Sequence, residues 1–415
     1  MNTTPYRIVH CIRAPVGGAF RHVCDLVRAQ NAAGHSVGLI CASDTDDAFA
    51  EEKLARLESD LKLGLIRMPM RRSLSLGDLS AIWRVLRQLH GLAPDILHGH
   101  GAKGGAYARL IGTAMRARGA SVKRFYSPHG GSLHFAKDSA AGKVFFTLER
   151  TMERMTDGLI FVSRYEETQY REKIHAPKVP NRVIHNGLRP DEFQPVIPAA
   201  DAADFLFIGE MRHLKGPDVF LRALAMIHEQ TGRCPTAHLV GPGAQVGEYK
   251  EQADQLGLGE HVSFHPPMPA RQAFAMARCV AIPSRAESMP YIVLETVAAA
   301  MPLITTRVGG IPEIFEGREG DLVEPDDDFA LAAAMREKMQ APEHARAIAV
   351  LHQNILSAGF SLDHMARAVF AFYGGASRPA AEDRPQQVED ISHIHPLHEL
   401  SEAHTGNRTN RRING

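Results

Sequence analysis

The sequence predicts an α/β protein of two doubly wound, parallel-sheet domains. Three observations lead there. Short apolar runs alternate with amphipathic helical stretches, and strands that alternate with helices at this spacing pair in parallel. The 415 residues exceed one ordinary core and suit two domains of about 180 residues each. A Pro-rich stretch, Arg189–Pro198, interrupts the alternation near the middle and reads as a linker.

In the first half the candidate strands are Arg7–Cys11, Val37–Cys41, Ile96–His98, Lys123–Tyr126, Gly158–Phe161 and Arg182–Ile184. Helical periodicity is clearest over Phe20–Asn31, Leu79–His90 and Lys143–Met155. The second half repeats the pattern with Phe205–Ile208, Ala237–Val240, Val262–Phe264, Val280–Pro283, Pro302–Thr305 and Asp321–Val323. Ser361 is placed to cap a last amphipathic helix that runs to Tyr373, with Leu362, Met365, Val369, Phe370 and Phe372 on its apolar face. Beyond Gly374 periodicity vanishes and Pro, Glu, Asp, Arg, Asn and Gly dominate, the composition of a disordered tail. His393, His395, His398 and His404 read as polar filler there, because no rigid scaffold would hold them around a metal. The expected division is 1–188, 189–360, a helix at 361–374 and a tail at 375–415.

Composition narrows the function. A 44% hydrophobic and 23% charged chain is that of a soluble globular protein. With 47 basic and 47 acidic residues the net charge is zero, which argues against nucleic acid as the main partner. The cysteines, Cys11, Cys24, Cys41, Cys234 and Cys279, are odd in number and lack C-x-x-C spacing, so neither a disulfide framework nor a zinc site is expected. The N-terminus lacks a signal-peptide apolar region, and no apolar run approaches the roughly 18 residues that span a bilayer. A cytoplasmic location is expected.

The richest stretch is Glu287-Ser-Met-Pro-Tyr-Ile-Val-Leu-Glu295, which follows the apolar run Cys279–Pro283. Glu287 falls in a loop and Glu295 inside the helix that follows, with Pro290 suited to the first helical turn. The N–H groups of Ser288 and Met289 then lie near a helix N-terminus, ready for an anion. Two ionised carboxylates at the ends of such a turn can accept from two sets of hydroxyls, such as sugar and ribose flanking a diphosphate. Arg212 and Lys215 follow the strand Phe205–Ile208, at the carboxyl end where open α/β sheets bind ligands. An Arg fork beside a Lys point charge suits a diphosphate. Gly309 and Gly310 after Pro302–Thr305 let backbone approach closely. In the first half, Gly17 and Gly18 follow the first strand and could admit a phosphate or an acceptor. His98, His100 and Lys103 end another strand, and His98 is expected to point into the core, bonded to backbone.

Taken in order, Gly209-Glu-Met-Arg212 with Lys215-Gly216, Glu287 with Glu295, and Gly309-Gly-Ile-Pro-Glu313 resemble family 4 of the glycosyltransferases. Gly17-Gly18, Gly34-His35-x-Val37, Pro128-His129-Gly130 and His185-Asn186-Gly187 fit the same family, so the resemblance covers residues 6 to about 373. It implies the GT-B architecture of two Rossmann-like domains, with the acceptor on the first, the nucleotide-sugar on the second and a C-terminal helix crossing back. It also implies retaining transfer without a protein nucleophile. By resemblance His129 contacts the donor sugar, and Glu287, Arg212 and Lys215 join it as catalytic residues. Donor binding falls to Gly17, Gly18, Arg212, Lys215, Glu287, Ser288, Met289 and Glu295. Met289-Pro290 departs from the aromatic–glycine pair common after the first glutamate, which bears on the fit around the sugar.

No metal or other cofactor is expected: Asp44-Thr-Asp46 has a metal-ligand spacing but sits in a polar loop away from the clamp. The run Ile12–Gly18 is similar to bacterial exopolysaccharide and lipopolysaccharide enzymes, which implies a growing, lipid-linked glycan as acceptor. Met68-Pro-Met-Arg-Arg72, Arg84, Arg87, Arg109, Arg116, Arg118, Lys123 and Arg124 make the first domain locally basic. Trp83 and Leu86 interleave with Arg84 and Arg87, a face that could rest on the anionic inner-membrane surface. Two other readings stay open: an epimerase of the same architecture and a nucleotide-sugar-binding module without turnover. An NAD-dependent dehydrogenase is disfavoured, because Val16-Gly-Gly-Ala-Phe-Arg lacks the third glycine of the dinucleotide fingerprint.

Overall fold

The computed structural model describes residues 5–43, 48–70, 77–315, 317–318 and 322–375. Asp44-Thr-Asp46, Arg71, Arg72, Asp321 and the chain from 376 lie outside them. The first lobe is built on strands β1 (Arg7–Ile12), β2 (Ser36–Ala42), β3 (Leu65–Met68), β4 (Ile96–His100), β5 (Lys123–Ser127), β6 (Gly158–Phe161) and β7 (Asn181–Val183). They pair in the order β3-β2-β1-β4-β5-β6-β7, all parallel. The second lobe is built on β8 (Ala203–Ile208), β9 (Ala237–Val240), β10 (Val262–His265), β11 (Ala277–Ile282) and β12 (Leu303–Thr305), parallel in the order β10-β9-β8-β11-β12. Helices cover both faces of such sheets, so central strands read as unbroken apolar runs. In β1 and β4 nearly every residue is buried.

Two strand expectations need correction. β3 was not anticipated: its four residues, Leu-Ile-Arg-Met, form an edge strand with Arg67 turned outward, too short and too polar to stand out. The stretch read as a strand at Asp321–Val323 gives only an isolated bridge from Val323 to Thr306 among the described residues. The basic character of the first lobe is also smaller at its surface than the residue list suggests. Arg109 is buried against Glu149 at 2.9 Å, and Arg116 and Arg124 both bond Asp157. The Lys123 ammonium donates to the Tyr373 carbonyl at 2.8 Å. Arg84 and Arg87 do remain exposed, with Arg87 lying over the Trp83 ring.

Each sheet reverses its winding once. In the first the reversal lies between β1 and β4, in the second between β8 and β11. Loops leaving the carboxyl ends of such neighbours diverge and open a crevice, where ligands of this fold class bind.

The helix Leu362–Tyr373 packs on the first lobe. Ser361 caps it, accepting from His364 N–H. Met365, Val369, Phe372 and Tyr373 join Ile8, Leu26, Ile96, Phe125, Ile160 and Ile184 in one core cluster. Phe370 instead meets His35 edge-on. The last helix thus completes the first core from the far end of the chain.

Candidate functional site

The loops after β8 and β11 bring Lys215 and Glu287 together. A short turn, His213–Lys215, ends on Gly216, whose φ of +74° is left-handed. A Cβ at Gly216 would stand 2.1 Å from the Pro283 carbonyl, so only glycine lets this turn lie against the end of β11. Arg285 ties the two loops: its N–H donates to the Leu214 carbonyl, and its guanidinium forks onto Asp218 at 2.8 and 2.6 Å. Within this frame the Lys215 ammonium reaches Glu287 Oε1 at 2.5 Å, and the Ser284 hydroxyl donates to the same oxygen at 2.8 Å. Glu287 is buried, and a buried carboxylate needs such partners. The glycine pair after β12 backs the loop. Gly309 has φ +61°, and a Cβ there would fall 1.7 Å from the Glu287 carbonyl.

Ser288 and Met289 carry the site to the first lobe. A Cβ on Gly130 would come 2.9 Å from Ser288 Oγ. The Met289 carbonyl accepts from the Asn186 amide at 2.8 Å. Pro290 precedes the helix Tyr291–Ala298 as its cap instead of opening its first turn, so the helix is one residue shorter than the proline suggested. Gly18 lies beside Tyr291: a Cβ there would sit 3.5 Å from the ring. Gly17, at φ +69°, opens the helix Gly17–Ala32 and has clear space before it.

The other named residues are arranged differently. Arg212 is half exposed and bonds Glu210 at 3.0 Å, so it does not join the Lys215–Glu287 pair in this structure. Glu295 is held by Arg21 of the first lobe. Arg21 also bonds both oxygens of Glu192 at 2.6 Å and lies over the Tyr291 ring. Glu313 binds across the lobes as well, accepting from Arg164 and Tyr165 N–H at 2.9 and 2.8 Å and lying 2.9 Å from His185 Nε2.

On the first-lobe side the ends of β1, β4 and β5 gather histidines. Register sets His10 beside His98, Ile12 beside His100, and His100 beside Ser127. His98 is buried as expected, but it bonds side chains, not backbone: the Tyr373 hydroxyl at 2.7 Å and Ser127 Oγ at 2.9 Å. A strand neighbour's backbone is already spent in the sheet, which leaves only side chains to meet a buried ring. His129 follows β5 with a left-handed φ of +50° and bonds His100 at 3.0 Å. Burial lowers His10 and His22 to about 4, and takes His98, His100 and His129 well below the ordinary histidine value. These rings are neutral at pH 7. His22, His100 and His129 lie close enough to offer three ligand atoms to one ion, as do His10, His98 and His100.

Three participants escaped the sequence reading. Arg21 holds Glu295 from the first-lobe helix Gly17–Ala32. His134 turns out to feel Glu287, Arg212 and Lys215, though desolvation dominates and pulls it down. Glu166 receives the Gly130 and Val162 N–H groups at 2.5 and 2.9 Å, yet burial pushes it up to about 7. Only the spacing His98-Gly-His100 could have hinted at the histidine cluster, since alternate residues of a strand face the same side.

Comparison with known proteins gives the family and the fold. Residues 17–187 match the "Glycosyl transferase 4-like domain" family and residues 202–340 match "Glycosyl transferases group 1". The chain belongs to the family 4 glycosyltransferases. Among the relatives of this glycosyltransferase are the putative glycosyltransferase EpsD of Bacillus subtilis, 29% identical over 67% of this chain and 76% of its own. Another is the D-inositol 3-phosphate glycosyltransferase of Mycolicibacterium paratuberculosis, 30% identical over 55% of each chain. The match therefore spans about half the length of that relative. Solved structures share the GT-B fold. HepE of Anabaena, in complex with UDP and glucose, superposes with a TM-score of 0.74 at 19% identity, covering 89% of this chain and 100% of its own. WaaG, a glycosyltransferase involved in lipopolysaccharide biosynthesis, gives 0.63 at 17%, covering 89% and 100%. No helix among the described residues is long and apolar enough to cross a membrane.

Proposed function

We propose that this protein transfers a sugar from a nucleotide-sugar to a hydroxyl of a growing, lipid-linked cell-surface glycan, with retention of the anomeric configuration. The observation that carries the reading is the Lys215–Glu287 pair, locked at the winding reversal of the second sheet, on a loop that meets Gly130 and His134 of the first lobe. Glu287 holds the Lys215 ammonium in the absence of a diphosphate. When a diphosphate enters, the ammonium is shared with it, Arg212 swings from exposed Glu210, and the N–H groups of Ser288 and Met289 add fixed dipoles. Such preorganised donors stabilise a departing diphosphate without a protein nucleophile. Cations in these positions can carry the charge that a divalent ion carries elsewhere, so transfer is proposed to be metal-independent. Glu287 then accepts from hydroxyls of the reacting sugar. Glu295, released from Arg21, accepts from the ribose. UDP in HepE and lipopolysaccharide biosynthesis for WaaG support the donor and acceptor classes. The acceptor side falls to the first lobe, whose Gly17 and Gly18 admit the donor phosphate. Exposed Arg84 and Arg87 around Trp83 would rest the protein on the anionic inner leaflet.

The test is a thermal-shift panel of nucleotide-sugars and nucleoside diphosphates, followed by turnover with the donor that binds. Ligand binding raises stability by mass action, so the true donor stands out. No shift with any member, together with no transfer, would remove the reading.

A further inference from the structure

The imidazoles beside the cleft form a directed chain. His10 Nε2 lies 2.8 Å from Gln30 Oε1, His10 Nδ1 lies 2.9 Å from His100 Nε2, and His100 Nδ1 lies 3.0 Å from His129 Nε2. Gln30, His10 and His100 are fully buried. With the Gln30 amide placed as it is, its N–H₂ buried and unpartnered, Oε1 faces His10 and can only accept, so His10 carries its proton on Nε2. A neutral imidazole has one N–H and one lone pair. His10 Nδ1 therefore accepts from His100 Nε2–H, and His100 Nδ1 in turn accepts from His129 Nε2–H. Protonation of any member would put two N–H groups face to face or bury a charge without an acid to pair it. The burial of Gln30, His10 and His100 disfavours a charge on the chain.

The chain ends at His129 Nδ1. That atom bonds no protein group among the described residues, and it is not among the nitrogens sealed away from solvent. We propose that Gln30, His10 and His100 are positioning residues that fix His129 in one tautomer, so that its Nδ1 presents a permanent acceptor to a hydroxyl of the bound sugar. The identity of the hydroxyl's owner rests on the proposed transferase reading; the tautomer relay does not. Nearby His22 is set the same way from the second lobe. The Asn186 amide N–H₂ must donate to the Met289 carbonyl, so its oxygen accepts from His22 Nδ1–H at 3.0 Å and leaves His22 Nε2 buried with no partner. Both rings thus carry a lone pair and no N–H on the nitrogen without a protein partner, and of the two only His129 Nδ1 is not sealed from solvent. A site of this kind takes a hydroxyl that can donate, and rejects a group that can only accept.

The relay also has a definite failure mode. Turning the Gln30 amide over would put its N–H₂ against His10 and reverse every proton, leaving His129 with Nδ1–H, a donor. The experiment is a two-bond proton–nitrogen correlation spectrum of the full-length protein labelled on histidine, at neutral pH after chelator treatment, with the His129 signals assigned by their loss in His129→Gln. The expected result is Nε2–H with a bare Nδ1 at His10, His100 and His129. In Gln30→Met, which keeps the side-chain volume and removes the acceptor, His129 should change to a mixture of tautomers while the melting curve stays cooperative. Nδ1–H at His129 in the unsubstituted protein, or an imidazolium there, overturns the proposal. So does a His129 pattern that Gln30→Met leaves unchanged, or one that differs before and after chelation, which would mark the rings as metal ligands instead. Should Gln30→Met not fold, the unsubstituted spectrum still decides. None of these readouts requires turnover, so a failed relay and a failed transferase reading are separable.

Discussion

At the carboxyl edge of the second sheet the polar groups are ions: Lys215, Glu287, Arg212, and the Arg285–Asp218 fork beneath them. At the facing edge of the first sheet they are neutral rings, His10, His98, His100 and His129, with His22 from the adjoining helix. Both edges arise at a winding reversal of the same kind of sheet. The difference lies in how each handles burial. The second lobe buries charge by pairing it within two tightly packed loops. The first lobe buries bases and keeps them uncharged. A diphosphate needs the former environment; sugar hydroxyls, which donate and accept without charge, suit the latter.

The comparison can be broken most completely at the last helix, because it builds the neutral edge without contributing to the ionic one. Ending the chain before Ser361 should abolish cooperative folding. It strips Met365, Val369, Phe372 and Tyr373 from the first core and removes the hydroxyl that holds His98. Ending it after Gly375 should leave melting and donor binding unchanged. Thermal unfolding of both truncations checks this, and a folded protein ending at 360 would show that the first lobe's core is not shared.

Lys215→Ala should lower turnover by about a hundredfold to a thousandfold, the usual cost of losing one preorganised donor to a leaving group. It also strands buried Glu287 with only Ser284. Arg212→Ala should lower turnover in the same sense, since the half-exposed guanidinium has to leave only Glu210. Steady-state rates near those of the unsubstituted enzyme in both would dissolve the ionic half of the comparison. The two glutamates sharpen it. Glu287→Gln should act mainly on kcat and Glu295→Gln mainly on nucleoside diphosphate affinity. Calorimetric titration of the Glu295 variant that gives unchanged affinity would refute the ribose role.

Acid separates the two edges next. The folded-state histidines sit below the unfolded value near 6.5, with His10 and His22 at about 4. The unfolded chain therefore binds more protons between those limits. The stability that neutral rings contribute is complete above about pH 6.5 and is lost as pH falls toward 4. Glu166, raised to about 7, works in the opposite direction, since its protonated form is favoured in the fold below that pH. Melting temperature should fall from pH 6.5 to pH 4, and more steeply in Glu166→Gln. A flat profile over that window would mean the rings are not held neutral. The smallest expected effect concerns the leaflet. Neutralising Arg84 and Arg87 should weaken sedimentation with anionic vesicles by about 1 kcal/mol per charge at low salt, and high salt should erase the difference.

The sequence by itself determined the two parallel sheets, because fully covered strands must be apolar throughout and helices must alternate with them. It determined which loops carry Arg212, Lys215, Glu287 and the glycines, since each follows a recognisable strand. It also placed the capped helix from Ser361 and its apolar face, which local periodicity specifies. The edge strand Leu65–Met68 escaped because its pattern is neither apolar nor alternating over enough residues. Only the tertiary structure decided that Lys215 and Glu287 pair directly, across 72 residues, because that depends on β8 lying beside β11. Only it showed Arg21 holding Glu295 across 274 residues, and Arg109 and Arg124 turned from surface cations into internal ties, with exposed Arg116 sharing Asp157. The histidine relay belongs to the same class. His10, His98, His100 and His129 come from three separate strand ends, and the protonation of each ring is dictated by its neighbour in space, a relation no linear pattern of residues contains.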